Sequence, residues 1–518
     1  MSAGVKAFAG ALALAMTVAA CGGGESASGG PAGEIDRDAT LRMAWTVTPN
    51  NLDPHQSSNY AVEFNYLSPV YDRLTNVVAG PDVDPMLAES WEFSEDGTTL
   101  DFTLRSDASF HDGTPVNAEA VVKSLNRARD PQQAKSASSL AMITDVQALD
   151  ERTVRVVADR PAADLPAVLA STTAAIINPV ALDNNVDLSL EMAGSGPYIA
   201  EEIRRGDSIV YKRYDGYWDP EAQKAATLEI SGIGDDNARL NAFRSGQIDV
   251  MLAKARQTGE LETLISQPQY DMHTYPAGQF YAVQLDIGQE GLQDVRVRQA
   301  LNFAIDREGI NSGLLHDQCQ PNSQPLPEGV DGHNPSLQGA YTYDPERARE
   351  LLAEAGADDV TLRLVHVAGL SPQQEMATAI QAQLAEVGVA VELMPQPNND
   401  AQVTMSEGDH SLLNPRLAHP TPGQTLQMNY LTEARFPTAP SNEFRDAVEA
   451  AFDPNITDDE RTELYSTAST IASEEAYDVF VCAVPTQVAY TDKVVGADEG
   501  GQADFTGIVD TRYMGITS

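Results

Sequence analysis

The chain has 518 residues, which is enough for two or three domains, since single hydrophobic cores stop growing at roughly 250–300 residues. It carries 33 basic and 76 acidic residues, a formal net charge of −43 at pH 7. A surface this acidic repels nucleic acid phosphates and anionic lipid headgroups. Length and charge therefore exclude a lone small module and argue against a nucleic-acid-binding protein.

The amino terminus has the pattern of an export signal. Lys6 precedes an apolar run over residues 7–20, which is too short to span a bilayer. The VAAC tetrapeptide that ends at Cys21 resembles the lipobox of bacterial lipoproteins. We expect residues 1–20 to be removed as a signal peptide, and residues 21–34 to form a lipidated cysteine with a flexible Gly-rich linker. An ordinary secreted protein, in which Cys21 is incidental, is the alternative.

Two further cysteines, Cys319 and Cys482, follow in the body of the chain. An exported protein folds in an oxidising compartment, where a disulfide between them can form and persist. Two buried free thiols are the alternative, and the sequence does not decide between the two states.

Residues 86–105, MLAESWEFSEDGTTLDFTLR, alternate apolar and polar side chains on both sides of Asp96-Gly97. This pattern predicts a β-hairpin with a favourable turn pair. The FHDG stretch at 110–113 follows it. His111 beside an aspartate could serve a metal site or a catalytic base, but a turn before a helix capped by Asn117 accounts for both residues. We interpret FHDG as a turn outside any binding site.

A strand–helix–strand unit is predicted in the second half of the chain. TLRLVHV at 361–367 reads as a strand, Ser371-Pro372 is expected to cap and begin a helix, and Gly388 to stop it before a VAVEL strand. The predicted helix carries an apolar stripe at Met376, Ile380, Leu384 and Val387. Such a unit belongs in a sheet covered by helices.

Two more helices are expected to begin after aspartates in the same half. Asp294 precedes VRVRQALNFAIDREG, and Asp344-Pro345 precedes a helix that Gly356 ends. Strands and helices thus alternate, and the fold class is α/β, or mixed α+β, with mixed sheets.

Sequence motifs of enzymes are absent. The chain contains no H-E-x-x-H, no G-x-S-x-G, no phosphate-binding G-x-x-x-x-G-K-[ST] and no cysteine pairs at zinc spacing. Its eight histidines are scattered. We therefore expect no catalytic residue, no resident metal and no cofactor.

Five segments in order resemble the extracytoplasmic solute-binding proteins of ABC importers, specifically family 5, the peptide, dipeptide and nickel group. The resemblance covers most of residues 40–495. The segments are PMLAESWEFSEDGTTLDFTLRSDASFHDGTPVNAEAVV, GSGPYIAEEIRRGDSIVYKRYDGYWDP, RLNAFRSGQIDV, DVRVRQALNFAIDR and YDPERARELLAEAG.

The resemblance implies a two-lobed periplasmic-binding-protein-like fold (type II, cluster C) with a small domain inserted in the first lobe. The lobes would be joined by crossings near 279–286 and 479–489. Carried onto this chain, the first lobe takes 35–77, 193–284 and 486–518, the inserted domain 78–192, and the second lobe 285–485. A bridge between Cys319 and Cys482 would then lie within the second lobe.

The resemblance also implies a function. The protein would capture a peptide, peptide-like or small organic solute between its lobes and deliver it to ABC permease subunits, as a monomer anchored on the outer face of the cell membrane. Alternatives are a surface sensor or chaperone with the same fold, or a binder of a non-peptide anionic solute or metal chelate. An enzyme is the least favoured class.

The segment at 408–426 departs from the family pattern. Peptide-binding members usually carry aromatic residues here, then an aspartate that pairs with the peptide's amino terminus. This chain has no carboxylate between Asp409 and Glu433, and Asn414, Arg416 and His419 occupy the region. Because guanidinium holds carboxylates through paired hydrogen bonds, we expect Arg416 to face an anionic group of the ligand. A solvated loop charge is the alternative.

Further ligand contacts are expected from the first lobe. The loop at 46–60 corresponds to the family's early loop beside the cleft, with Asn50, His55 and Tyr60 as polar or stacking contacts, although turn formation explains much of this stretch equally well. Ser195, in the GSGPY motif at 194–198, lies near the cleft in the family. Simple turn geometry is the alternative for that motif.

Overall fold

The computed structural model describes residues 33–518 except 57–59, 78–82, 136, 254–256, 276, 358, 499 and 501–508, and it leaves the side chains of 60–62, 258, 398 and 399 undescribed. The expected signal peptide, Cys21 and nearly all of the linker lie outside the described residues. In the described part of the chain, no helix combines the length and the apolar character that crossing a membrane requires.

The elements follow one another along the chain as alternating strands and short helices. Up to residue 183 they are β1 (Thr40–Trp45), α1 (Tyr60–Leu67), β2 (Thr75–Val77), β3 (Val83–Pro85), β4 (Ala88–Phe93), β5 (Thr99–Leu104), α2 (Ala118–Ala128), β6 (Ile143–Ala148), β7 (Thr153–Ala158), α3 (Leu165–Val168) and α4 (Pro179–Asp183). The next group is β8 (Tyr198–Arg204), β9 (Ser208–Arg213), β10 (Thr227–Gly232), α5 (Asp236–Arg244), β11 (Val250–Leu252), α6 (Thr258–Ile265) and β12 (Tyr270–Tyr275).

The remaining elements form the second lobe and the return to the first. They are β13 (Phe280–Gln284), α7 (Val295–Phe303), α8 (Arg307–Leu314), β14 (Gln320–Pro321), α9 (Pro345–Ala355), β15 (Thr361–Val367), α10 (Gln373–Glu386), β16 (Ala390–Gln396), α11 (Asn398–Ser406), β17 (Ser411–Arg416), α12 (Pro422–Leu426), α13 (Asn442–Ala450), α14 (Asp458–Glu474), β18 (Asp478–Ala483), β19 (Thr486–Thr491), β20 (Val494–Val495) and β21 (Gly515–Ile516). A single π turn, Gln427–Leu431, continues α12.

A seven-stranded sheet forms the first lobe, in the order β12-β19-β11-β1-β10-β9-β8. β1 lies parallel to β10 and to β11, whereas β19 is antiparallel to β11. Its strands are rich in buried apolar side chains, among them Leu41, Met43, Leu228, Ile230 and Val250. This continuous apolar content is what a sheet covered on both faces requires.

A six-stranded sheet forms the second lobe, in the order β14-β18-β13-β17-β15-β16. β15 and β16 are parallel along their whole length, and α10 connects them. Three residues of the predicted apolar stripe, Met376, Ile380 and Leu384, have no exposed surface and belong to the same core cluster as β15. The predicted strand–helix–strand unit and the mixed α/β fold class are confirmed.

Two connections join the lobes. β12 ends the first-lobe sheet at Tyr275, and β13 begins in the second at Phe280; the return runs from Ala483 in β18 to Thr486 in β19. Because β13 pairs with β17 and β18, Phe280–Gln284 belong to the second lobe. The expected boundary between 284 and 285 therefore differs from the sheet assignment, which ends the first lobe before residue 280.

A small antiparallel sheet, β4-β5-β7-β6, forms the inserted domain with α2 packed on it. The predicted hairpin is confirmed as β4 and β5, which pair with Trp91 opposite Phe102. The side chains of Leu100, Phe102 and Leu104 are buried on one face, as the period of two requires.

The FHDG stretch is a turn, as the sequence indicated. Phe110 is fully buried, Asp112 Oδ1 accepts a hydrogen bond from Thr114 N at 2.9 Å, and Gly113 has φ +83°. Asn117 Oδ1 caps α2 by accepting from Ala120 N at 3.0 Å. The ring of His111 hydrogen-bonds through Nε2 to the carbonyl of Gly196 at 2.9 Å. Its role is thus to attach the inserted domain to the first lobe.

Besides Asn117, helix caps are confirmed at Asp294 and Asp344. The side chain of Asp294 accepts from Arg296 N, and that of Asp344 accepts from Arg347 N. The prediction for α10 is wrong by one residue, because the helix begins at Gln373 and Pro372 occupies the cap position without a side-chain hydrogen bond.

Cys319 and Cys482 form a disulfide, with Cα atoms 5.6 Å apart. Cys482 lies in β18, and Cys319 precedes the short edge strand β14 that pairs with β18. The bridge joins two cysteines of the second lobe that are 163 positions apart in the sequence. It therefore constrains the second lobe internally.

The disulfide predicts a defined thiol count. In a Cys21→Ser protein, denatured without reductant, we expect no thiol to react with a chromogenic disulfide reagent, and two to react after reduction. Replacing both cysteines by serine should lower the free energy of unfolding by about 2–5 kcal/mol in urea titrations, because the unfolded chain regains the freedom of a long loop. Two reactive thiols before reduction would contradict the bridge.

Candidate ligand-binding cleft

Strand directions decide where the two sheets present their loops. β19 enters the first lobe at Thr486 and places Val488 opposite Leu252, so antiparallel β11 ends on the side facing the second lobe. β1 and β10 run parallel with β11 and end there too. In the second lobe, Phe280 at the start of β13 lies opposite Arg416 at the end of β17, and β15 is parallel to β17. Both sets of carboxyl ends face the space between the lobes, where α/β sheets bind ligands.

A cavity of about 990 Å³ is lined by residues of both lobes, beside the ends of the first-lobe strands. This is at the upper end of the roughly 300–1,000 Å³ typical of small-molecule sites. Its walls come from the ends of β10 and β11 and from the end of α8, and include Asp235, Asp236, Gln257, Glu260, His316, Asp317 and Gln318. Within the described residues, no group of three or more His, Cys, Asp or Glu side chains is placed to hold a metal ion.

Arg416 does not face this space. Its side chain is fully buried and ion-paired with the equally buried Asp478, with Nη2 2.6 Å from Oδ1 and Nε 3.0 Å from the same oxygen. Nη1 donates to the carbonyl of Asn429 at 2.9 Å, and Tyr430 donates its hydroxyl to Asp478. The expectation that Arg416 binds a ligand carboxylate is therefore wrong. The guanidinium is already paired with a carboxylate of the protein, that of Asp478.

The Arg416–Asp478 pair holds the cleft loop in place. It joins the end of β17 to β18 and, through Asn429 and Tyr430, to the π turn that follows α12. The guanidinium also lies 4.6 Å from the ring centre of Tyr430. Removing one member of a buried ion pair leaves the other charge uncompensated in a poorly solvated site, which is costly.

We predict that Arg416→Ala lowers the free energy of unfolding by about 3–5 kcal/mol, because Asp478 loses its counter-charge. Urea titration followed by circular dichroism measures the change. Arg349→Ala is the matched control: this arginine of the second lobe has a side chain 48% exposed and should change stability by less than about 1 kcal/mol. Equal effects of the two substitutions would contradict the structural role of Arg416.

His419 lies in the loop after β17 and is not a cation. Burial, together with the nearby charge of Arg435, lowers the pKa of His419 to about 3. Its backbone N–H donates to Thr425 Oγ1 at 2.9 Å, which ties the loop to α12. At neutral pH a ligand would meet a neutral imidazole here, so His419 contributes no positive charge to the cleft.

The depressed pKa of His419 predicts a pH dependence of stability. The unfolded state takes up a proton near pH 6.5 and the folded state only near pH 3. The stabilisation is thus complete above pH 6.5 and is lost as the pH falls. From pH 7 to pH 5, wild type should lose about 2 kcal/mol more than His419→Gln in urea titrations. Parallel pH profiles for the two proteins would refute this assignment.

Asn414 lies near the end of β17, at the edge that faces the cleft. Its Oδ1 accepts a hydrogen bond from Gln373 Nε2 at 2.9 Å, which links β17 to the start of α10. Gln373 Oε1 is buried and makes no hydrogen bond within the described residues. Asn414 thus orients the side-chain amide of Gln373, whose oxygen can still accept a hydrogen bond. Gln373 is a candidate ligand contact that the sequence analysis did not identify.

The side chain of Ser195 is engaged within the first lobe. It is buried and donates its hydroxyl to Asp72 Oδ2 at 3.1 Å, and Asp72 also accepts from Tyr217 at 2.9 Å. Arg512 lies 3.8 Å from the same carboxylate. A Cβ at neighbouring Gly194 would overlap the carbonyl of Val70, so close backbone packing explains the GSGPY motif. The prediction that Ser195 contacts the ligand is therefore wrong, and Ser195 instead stabilises the interior of the first lobe.

The three candidate contacts in the early loop of the first lobe, at 46–60, differ in their surroundings. Asn50 follows β1 on the cleft-facing edge, and its side chain is exposed. His55 instead is buried, accepts from Arg127 Nη1 at 2.8 Å and donates to the carbonyl of Ala175 at 3.0 Å. The side chain of Tyr60 lies outside the described residues. Among the described side chains of this group, only that of Asn50 therefore remains a candidate ligand contact.

The inserted domain also contacts the second lobe. The backbone N–H of Ala163 donates to the carbonyl of Phe452 at 2.9 Å, and Asn455 Nδ2 donates to the carbonyl of Glu95 at 3.1 Å. The guanidinium of Arg160 lies 3.8 Å from the ring centre of Phe452. We call these contacts the inserted-domain clasp. They join the inserted domain directly to the second lobe.

Two lobes joined by two crossing strands, with facing strand ends and a cavity between them, define a two-lobed solute-binding protein. The chain belongs to the bacterial extracellular solute-binding proteins of family 5, whose middle-region model matches residues 82–435. Proteins of this family are extracytoplasmic receptors that bind small-molecule or peptide ligands and work with ABC permeases.

Individual relatives agree with this assignment. The chain is 28% identical over 369 residues to the glutathione-binding protein GsiB of Pectobacterium atrosepticum, covering 69% of each protein. It is 29% identical over 372 residues to the dipeptide-binding protein of Escherichia coli K12, covering 66% of this chain and 69% of that one. The ABC transporter-associated periplasmic binding protein DppA from Helicobacter pylori, in complex with the peptide STSA, matches with a TM-score of 0.77 at 22% identity, over 93% of this chain and 98% of that chain.

Proposed function

We propose that the protein is the lipid-anchored receptor of an ABC importer and captures a peptide or peptide-like solute in the space between its lobes. The observation that carries this proposal is the common orientation of the two sheets, whose parallel strands both end at the space between the lobes. Relatives named for glutathione and dipeptide binding support a peptide-like ligand. The receptor acts as a monomer without a chemical step, held at the membrane by lipid on Cys21.

The mechanism follows from the two connections between the lobes. Each connection is short, from Tyr275 to Phe280 and from Ala483 to Thr486, so the lobes rotate about this pair when the cleft opens. Solute enters the open form and is buried when the lobes close. The closed form is then presented to the permease, because only that form places surfaces of both lobes in fixed relation.

Native mass spectrometry of the freshly purified protein tests the proposal. We expect a 1:1 complex with a small solute retained from the producing cell, or formed after addition of mixed di- to pentapeptides. Gentle collisional activation should release the ligand and identify its mass. Absence of any bound species under both conditions would contradict a solute receptor, and turnover of the added peptides would favour an enzyme.

The inserted-domain clasp predicts how closure is stabilised. Arg160→Ala combined with Asn455→Ala removes two of its contacts and should shift the protein towards the open form. Small-angle scattering should then show a larger radius of gyration without ligand, and ligand affinity should fall by about tenfold, since part of the binding energy must now hold the closed state.

Arg152→Ala is the matched control for the clasp. Arg152 lies in the inserted domain, is 45% exposed, and pairs with Glu89 of the same domain. It should alter neither the radius of gyration nor ligand affinity. An unchanged radius and affinity in the Arg160 and Asn455 double variant would show that the clasp plays no part in closure.

A further inference from the structure

One short segment is attached to the chain on both sides of the return connection between the lobes. Cys482, near the end of β18, is bridged to Cys319. Gln487, near the start of β19, donates from its side-chain Nε2 to Oε1 of Gln318 at 2.8 Å. The two attachment points lie before and after the connection at 483–486, whereas Gln318 and Cys319 are neighbours in the sequence. Residues 318–319 therefore straddle the connection.

The attachment on the first-lobe side is firm. Gln487 lies opposite Thr274 of β12, and its carbonyl accepts a hydrogen bond from the backbone N–H of Ala253 at 2.9 Å. Its side chain is buried. The hydrogen bond to Gln318 thus starts from a paired strand of the first-lobe sheet, one residue beyond the connection.

The attachment on the second-lobe side depends on the disulfide. Cys319 and Cys482 belong to the main core cluster of the second lobe. The backbone N–H of Cys319 donates to Asn311 Oδ1 in α8 at 3.0 Å, and that of Gln318 donates to the carbonyl of Leu315 at 3.0 Å. Gln318 is therefore held one residue away from a covalent link to β18.

The backbone before Gln318 has an uncommon conformation. His316 and Asp317 have φ +53° and φ +59°, and all three residues line the interlobe cavity. Left-handed backbone is uncommon for residues other than glycine, and it persists only where the surrounding structure holds it. Release of the bridge would remove one of the links that hold this segment against the second lobe.

Bending at the connection acts directly on the Gln318–Gln487 hydrogen bond. The Cα atoms of adjacent residues stay about 3.8 Å apart, so residues 318–319 cannot lengthen. An N–H···O hydrogen bond spans only about 2.7–3.2 Å between its heavy atoms. When the lobes separate by bending at 483–486, the hydrogen bond must break unless Gln318 moves with the first lobe. The bridge at Cys319 opposes that movement.

We infer that the Gln318–Gln487 hydrogen bond is a hinge latch that stabilises the closed lobes, and that the Cys319–Cys482 bridge makes this latch effective by holding Gln318 to the second lobe. Without the bridge, the segment before Cys319 can follow the first lobe, and the hydrogen bond no longer opposes opening. Gln318 is thus a positioning residue for closure. This inference rests on the proposed function, in which the lobes open and close around the solute.

Hydrogen exchange of the ligand-free protein tests the latch through a reporter in the inserted-domain clasp. The backbone N–H of Ala163 donates to the carbonyl of Phe452 in the second lobe, so its exchange rate reports separation of the lobes. Gln318→Ala should raise this rate by about two- to tenfold, the effect of one neutral hydrogen bond on the closed–open equilibrium. The N–H of Val168, which donates to the carbonyl of Asp164 inside the inserted domain, should exchange at an unchanged rate. Mass spectrometry with electron-transfer fragmentation measures both amides.

The role of the bridge is tested by combining substitutions. Cys319→Ser together with Cys482→Ser should raise the exchange rate of Ala163 by a factor similar to that of Gln318→Ala. Adding Gln318→Ala to the cysteine variant should change the rate by less than about twofold, because the latch is already ineffective. Fully additive effects would overturn the dependence of the latch on the bridge.

Gln381→Ala is the matched control for the latch. Gln381 Nε2 donates to the carbonyl of Val391 at 2.8 Å within the second lobe, and its loss should leave the exchange of Ala163 unchanged. An unchanged rate at Ala163 in Gln318→Ala, or an equal increase at Val168, would overturn the latch. Gln318→Ala retains the bridge, so this result does not depend on the folding of the cysteine variant.

Solute binding separates the latch from the receptor function. Mixed di- to pentapeptides should bind Gln318→Ala about two- to tenfold more weakly than wild type in native mass spectrometry, since closure is less favoured. Because the exchange measurement contains no ligand, it also distinguishes the latch from a direct contact of Gln318 with solute. Failure of wild type to bind any solute would overturn the receptor function, whereas unchanged exchange in Gln318→Ala would overturn the latch alone.

Discussion

Two strands that cross between the lobes in opposite directions set the polarity of the entire molecule. β12 leads into β13, and β18 leads back into β19, so each lobe receives one incoming and one outgoing strand at the same place. Every other strand takes its direction from these by pairing. The parallel strands of both sheets consequently end at the cleft, and the loops that follow them are the ones available to a ligand. A reversed crossing would place those loops on the outer surfaces.

Buried ion pairs hold the interior of each lobe. Arg416 and Asp478 satisfy each other inside the second lobe, and Asp510 and Arg512 do so inside the first. Burial disfavours the charge of Asp510, but Arg512 more than offsets this and holds the pKa of Asp510 below its usual range. These pairs keep the ends of strands and the cleft loop in fixed positions.

Local features were predictable from the sequence because their causes are local. The β4–β5 hairpin, the FHDG turn, the aspartate caps of α7 and α9, and the strand–helix–strand unit each depend on residues within a few positions of one another. The site was not predictable in the same way. Arg416 pairs with a residue 62 positions later, and Ser195 with one 123 positions earlier, so nothing in their neighbourhoods reveals that they are occupied.

The central claim is that ligand binds where the strand ends of the two lobes face each other. Hydrogen exchange measured by mass spectrometry, with and without saturating peptide, tests this most directly. The account predicts slower exchange in the loops after β1, β10, β15 and β17, near residues 46–51, 233–235, 368–372 and 417–421. Protection confined instead to the groove of about 1000 Å³ between α2 and α4, near Arg127 and Leu182, would contradict it.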